Sequence, residues 1–90
     1  MYESRIAGDV YELCFICGRR ACHTHHIFGG PCRKASDRHK LTVRLCLECH
    51  TLLHDYGVGM QYLHELGQRT YEEQIGTREQ FREEFIRSYL

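Results

Sequence analysis

Ninety residues make one domain, 1–90, too small to bury an extensive core, so a bound metal would contribute usefully to its stability. At 42% hydrophobic and 27% charged, the chain is neither collagen-like, low-complexity nor disordered, and no apolar run nears the ~20 residues of a membrane span. The net charge of zero hides an asymmetry: residues 18–44 hold seven Lys or Arg against Asp37 alone, whereas residues 55–90 hold seven acids against four bases.

Residues 1–12 are a polar, acidic lead-in unlike a secretory leader, so a reducing cytoplasm is the expected compartment. Val10, Tyr11 and Leu13 predict the start of a strand. Cys14–Gly18 reads as a zinc knuckle, two cysteines flanking a tight turn with a glycine after it. The alternation in 23–28 predicts a strand that Gly29-Gly30-Pro31 stops. Residues 31–39, PCRKASDRH, predict a polar loop. In LTVRLCL, Leu41, Val43, Leu45 and Leu47 recur with the period of a half-buried strand. A helix is predicted over Glu48–Tyr56, closed by Gly57. Further helices are predicted over Met60–Leu66, ending at Gly67, and over Gln68–Ile75, ending at Gly76. Thr77 caps the last helix, and Gln80, three residues on, completes a capping box. Its stripe of Phe81, Phe85, Ile86 and Tyr89 is expected to dock on the domain. The fold class is α+β: a zinc-stabilised hairpin-plus-helix core over 14–57, followed by short C-terminal helices over 58–90.

Four of the six cysteines fall in two Cys-x-x-Cys pairs, Cys14/Cys17 and Cys46/Cys49. That spacing, in a chain expected to be reduced, favours zinc over disulfides. If the hairpin closes, both pairs meet at one end of it. Four thiolates then form a closed, structural site. Cys22 and Cys32 read as small buried hydrophobes, with Cys22 the more plausible competing ligand.

The histidines have a different pattern. His50 and His54 are four apart on the predicted helix and leave the same face, so both can bind one ion. His25 and His26 are neighbours on a strand and point to opposite sides. One can join the helical pair on the ion, while the other is free to act on a substrate water. Three imidazoles leave coordination positions open, the mark of a catalytic rather than a structural site. His23, His39 and His64 read as surface or hydrogen-bonded residues. The basic tract beside this cluster suggests a polyanionic partner such as DNA. Neither a membrane nor a small-molecule organic cofactor is expected.

Together these residues resemble an HNH nuclease, the class also called ββα-metal, whose core is treble-clef-like. His25-His26 in HTHHIFGG matches the family's first pair, a metal ligand followed at once by the general base. His50 and His54 in CHTLLH match its helical ligands. The two cysteine pairs match the zinc site that many members carry. The resemblance covers residues 14–54, and GQRTYEEQIGTREQF is similar to the ends of small stand-alone phage and prophage HNH proteins.

The resemblance implies hydrolysis of DNA phosphodiester bonds with His26 as base. A single divalent ion (Mg, Mn, Ni or Zn) on His25, His50 and His54, and a 5′-phosphate product, are also implied. Arg33, Lys34 and Arg38 are expected to contact flanking phosphates in a salt-dependent, sequence-independent way. One position departs from the family. Leu41 stands in the slot of the asparagine that holds the basic histidine. A loop carbonyl, Asp37 or His39 would have to accept the Nδ1 proton of His26 instead. The alternative is a zinc-stabilised module that grips DNA without cutting it, and after that a protein adaptor acting through the C-terminal helices.

Overall fold

Two four-residue strands, β1 (His23–His26) and β2 (Thr42–Leu45), pair antiparallel with His25 opposite Val43 in the computed structural model, which describes residues Met1–Leu90. Four helices follow or interrupt them: α1 (Arg33–Arg38), α2 (Leu47–Tyr56), α3 (Met60–Gln74) and α4 (Arg78–Phe85). The molecule is a small α+β domain, and no helix is long and apolar enough to cross a membrane.

All four residues of β2 are buried, although their alternation predicts burial on one face only. The lead-in covers the other face. Ser4 donates its hydroxyl to the Thr42 carbonyl at 2.6 Å, and Asp9 accepts the Arg44 amide at 2.8 Å. The Arg44 guanidinium lies 4.0 Å over the Tyr11 ring and donates to the Tyr11 carbonyl and the Thr24 hydroxyl. Val10 and Tyr11 do not begin a strand; Leu13 alone makes one bridge, to Arg20. Arg44, counted with the basic tract in sequence, is therefore a buried structural cation.

The segment between the strands is not a polar loop. A 3-10 turn over Gly30–Cys32 runs into α1. The reason lies in three small residues at helical spacing: Cys32, Ala35 and Ser36 all turn inward. The Ser36 hydroxyl accepts the Phe28 amide at 3.2 Å and donates to the Leu41 carbonyl at 2.7 Å, closing the segment over the hairpin. Leu41 itself is fully buried in the core. Cys32 is the small buried residue expected, whereas Cys22 is exposed.

Helix α2 begins at Cys46, whose Sγ accepts the Cys49 amide at 3.4 Å, and ends where Gly57 adopts φ 70°. Helix α3 continues straight through Gly67 instead of ending there. A Cβ at Gly67 would meet Ile27 Cγ2 and Phe28 Cε2 at 2.9 Å, so this glycine permits close approach of helix and hairpin rather than capping a terminus. Gly67→Ala is expected to destabilise the domain by up to about 2 kcal/mol, because overpacking (about 1–3 kcal/mol) opposes the gain in helix propensity (about 1 kcal/mol). Urea unfolding measures it. A more stable variant would show that Ile27 and Phe28 move aside freely.

Helix α4 has the expected capping box, with the Thr77 hydroxyl accepting the Gln80 amide and the Gln80 side chain accepting the Thr77 amide. Phe81 and Phe85 dock on Phe28, their ring centroids 5.3 and 4.7 Å from it. Ile86 does not belong to this stripe: it is 70% exposed with φ 77°, because the helix has already ended. Tyr89 returns to the core edge, 4.4 Å from the His64 ring. The fully buried Gln68 fixes this tail by accepting the Tyr89 amide at 2.6 Å and donating to Ser88 at 2.9 Å.

Glu84 joins α4 to α3 and to the end of α1. It accepts Tyr71 Oη at 2.6 Å, Arg38 at 2.7 Å and His39 Nε2 at 2.8 Å. Burial opposes its charge, but these three donors outweigh burial and hold its pKa at about 2.

Candidate metal centres and catalytic cavity

The knuckle is made by backbone hydrogen bonds. The Cys14 amide donates to the Arg19 carbonyl at 2.6 Å, and the Gly18 amide returns to the Cys14 carbonyl at 2.9 Å. Gly18 takes φ 80°, which a side chain would resist. The turn presents Cys14 and Cys17 to Cys46, at the end of β2, and to Cys49, in the first turn of α2. The four sulfurs lie within 4.8 Å of one another, and Cys17 Sγ is 3.6 Å from Cys46 Sγ. A disulfide needs about 2.05 Å, whereas a tetrahedral thiolate site with ~2.3 Å arms has edges of about 3.8 Å. The donor set could thus hold a metal ion such as zinc.

The electrostatics fit the same reading. Burial opposes the Cys14 thiolate, yet the amides of Cys17, Cys46 and Ile16 together bring its pKa down to about 6. The Arg19 amide lowers that of Cys17. Cys49 is pushed up, first by burial and then by hydrogen bonds with Cys46, Cys14 and Cys17. Anionic sulfurs that crowd together resist a further ionisation, and a central cation removes that cost.

The second cluster brings together residues far apart in sequence. β1 supplies His25 and α2 supplies His50 and His54, and one nitrogen of each lies within 4.8 Å of the others. The Nε2 atoms of His50 and His54 are 3.0 Å apart. The His25 ring stands edge-on to both, at 5.5 and 5.6 Å. Burial lowers the His25 pKa to about 4, assisted by the charges of His50, His54, His26 and His64. Burial also lowers that of His50, followed by His54 and His23. Both shifts favour the neutral imidazole, the form that donates a lone pair to a metal. Three such donors fit a divalent cation with coordination positions left open.

His26 ends β1 and lines the same cavity, about 530 Å³ in volume, together with His25, His50, His54 and Arg33. Its partner is Asp37, one of the side chains expected to hold it. The contact runs through Nε2, at 3.1 Å, rather than through Nδ1. Asp37 is 73% exposed and the His26 side chain only 18%, so an exposed carboxylate anchors a sheltered ring. His39 is not available for this task, because Glu84 holds it.

Arg33 lies at the cavity wall, and Lys34 is exposed beside it; neither is ion-paired to a carboxylate. Arg38 is instead paired with Glu84. The cavity has a further wall of Met60, His64 and Tyr89 that sequence reasoning did not assign to it. His23 was also missed. Its Nδ1 is 3.1 Å from Nδ1 of His50, and the signal was present in His23-x-His25, since alternate strand residues share a face. No protein-family model, curated protein or solved structure matches this chain, so the arrangement of these residues is what carries a functional reading.

Proposed function

We propose that this domain is a metal-dependent endonuclease of the HNH, or ββα-metal, type, hydrolysing DNA phosphodiester bonds. The observation that carries the proposal is the convergence of His25, His50 and His54 on one side of a cavity whose rim holds His26. On this reading the hairpin and α2 form a treble-clef-like core, with a structural zinc ion on Cys14, Cys17, Cys46 and Cys49.

His25, His50 and His54 would hold one divalent cation (Mg, Mn, Ni or Zn), which when bound supplies charge stabilisation at the phosphoryl and leaving oxygens. Asp37 orients the His26 ring through Nε2, which leaves Nδ1 without a protein partner and facing the task of taking a proton from water. Imidazole is the side chain whose ordinary titration lies nearest neutrality, which suits a base. Arg33 and Lys34 supply the basic approach to the cavity, a sequence-independent hold on phosphates. Leu41 leaves the basic histidine no amide side chain, and Asp37, four residues before it on α1, supplies the orienting contact.

The full burial of Leu41 in the asparagine slot favours, as a second reading, a module that retains DNA without cutting it. Nicking of supercoiled plasmid by the metal-loaded protein, with a chelator control, separates the two. The parent is expected to nick, and His26→Ala to lose at least about 100-fold in rate while keeping its fold and metal content. Removal of His26 breaks a single hydrogen bond to the exposed Asp37 carboxylate, worth little in stability. A His26→Ala protein that nicks at the parent's rate would show that the base is another group.

A further inference from the structure

His23 lies outside the constellation from which the nuclease reading was built, yet it is placed to control it. β1 points His23 and His25 to the same face, toward α2. Its register sets His23 opposite Leu45, directly before the Cys46 cap of α2, so His23 meets the first turns of that helix. The His23 and His50 rings are 4.8 Å apart, and their Nδ1 atoms are 3.1 Å apart. The other nitrogen of His50, Nε2, faces Nε2 of His54 at 3.0 Å. The two nitrogens of His50 therefore serve two different partners.

We propose that His23 is the positioning residue of the histidine metal site: its Nδ1 accepts the Nδ1 proton of His50 and thereby fixes the tautomer in which His50 presents Nε2 to the cation. The inference rests on the reading of His25, His50 and His54 as a cation site. A neutral imidazole carries one proton on two nitrogens. If Nε2 gives its lone pair to a metal, the proton resides on Nδ1 and needs an acceptor. His23 Nδ1 is the hydrogen-bond partner the fold supplies there. Two N–H groups cannot face each other at 3.1 Å, so His23 takes the complementary tautomer, with its own proton on Nε2. The Cys22 thiol, 3.7 Å from the same His23 nitrogen, is a weak donor that yields to an imidazole N–H.

Cobalt(II) is the probe, added to protein whose thiolate site is already filled with zinc, with its visible d–d absorption reporting occupancy of the histidine site. His23→Leu removes the acceptor and is expected to weaken cobalt binding about 10–100-fold. His23→Asn places an amide oxygen where Nδ1 stood and is expected to restore affinity to within about threefold of the parent. Zinc content and melting temperature monitor the fold in each variant. A leucine variant binding cobalt as tightly as the parent would overturn the proposal, as would a folded asparagine variant as weak as the leucine one. A parent that takes up no cobalt at all would instead overturn the cation-site reading itself.

Discussion

Cys46→Ser is expected to abolish the cooperative unfolding transition and the thiolate-bound ion together. Cys46 is buried, directly follows β2, caps α2 and lies 3.6 Å from Cys17, so one sulfur joins knuckle, sheet and helix. Serine retains an oxygen that can cap the helix, so the substitution isolates the loss of the thiolate. Binding at structural zinc sites amounts to about 10–16 kcal/mol of folding free energy in small domains, against a total stability of about 5–15 kcal/mol. A domain of 90 residues has no reserve to absorb that loss. Circular dichroism melting with zinc analysis checks it, and chelation of the parent should reproduce the effect. A zinc-free Cys46→Ser protein that melts cooperatively within a few degrees of the parent would show that the thiolate cluster is dispensable.

His50→Ala is expected to have the opposite profile: an intact fold and a lost function. His50 sits on α2 between His23 and His54, and its ring is only partly buried, so its removal disturbs little of the apolar core. It does remove the central donor of the histidine cluster. Native mass spectrometry should count two ions in the parent and one in the variant. Nicking should fall by about a thousandfold or more, since a Lewis-acid cation contributes several kcal/mol to the transition state. An unchanged ion count would place the second metal elsewhere.

The parts of this site that were legible in sequence are those fixed by short-range periodicity. His50 and His54 share a helical face whatever surrounds them, and each Cys-x-x-Cys pair occupies one tight turn. The capping box at Thr77 and Gln80 is equally local, and it forms as predicted. What sequence did not disclose depended on tertiary packing. Gly67 looks like a helix terminus, but the approach of Ile27 and Phe28 selects glycine in mid-helix. The polar segment 31–39 conceals Cys32, Ala35 and Ser36, an inward ridge visible only once Phe28 and Leu41 lie beneath it.

Charge was misleading for a similar reason. Arg44 and Arg38 belong to the basic tract in sequence, yet one is buried over Tyr11 and the other is spent on Glu84. Arg33 and Lys34 remain as free cations near the cavity. Three groups were candidates to hold His26, and only coordinates separate Asp37 from His39. His23 shares the period of His25, but a helix had to be placed against that face before its contact with His50 could be seen.

Cleavage rate measured against occupancy of the histidine site tests the central claim most directly. Manganese is titrated into protein whose thiolate site already holds zinc, and nicking of supercoiled plasmid is followed at each point. The rate should rise in proportion to the second ion and level off at one equivalent per chain. A fully occupied histidine site in a folded protein that leaves the plasmid intact, or nicking that ignores occupancy altogether, would contradict the account.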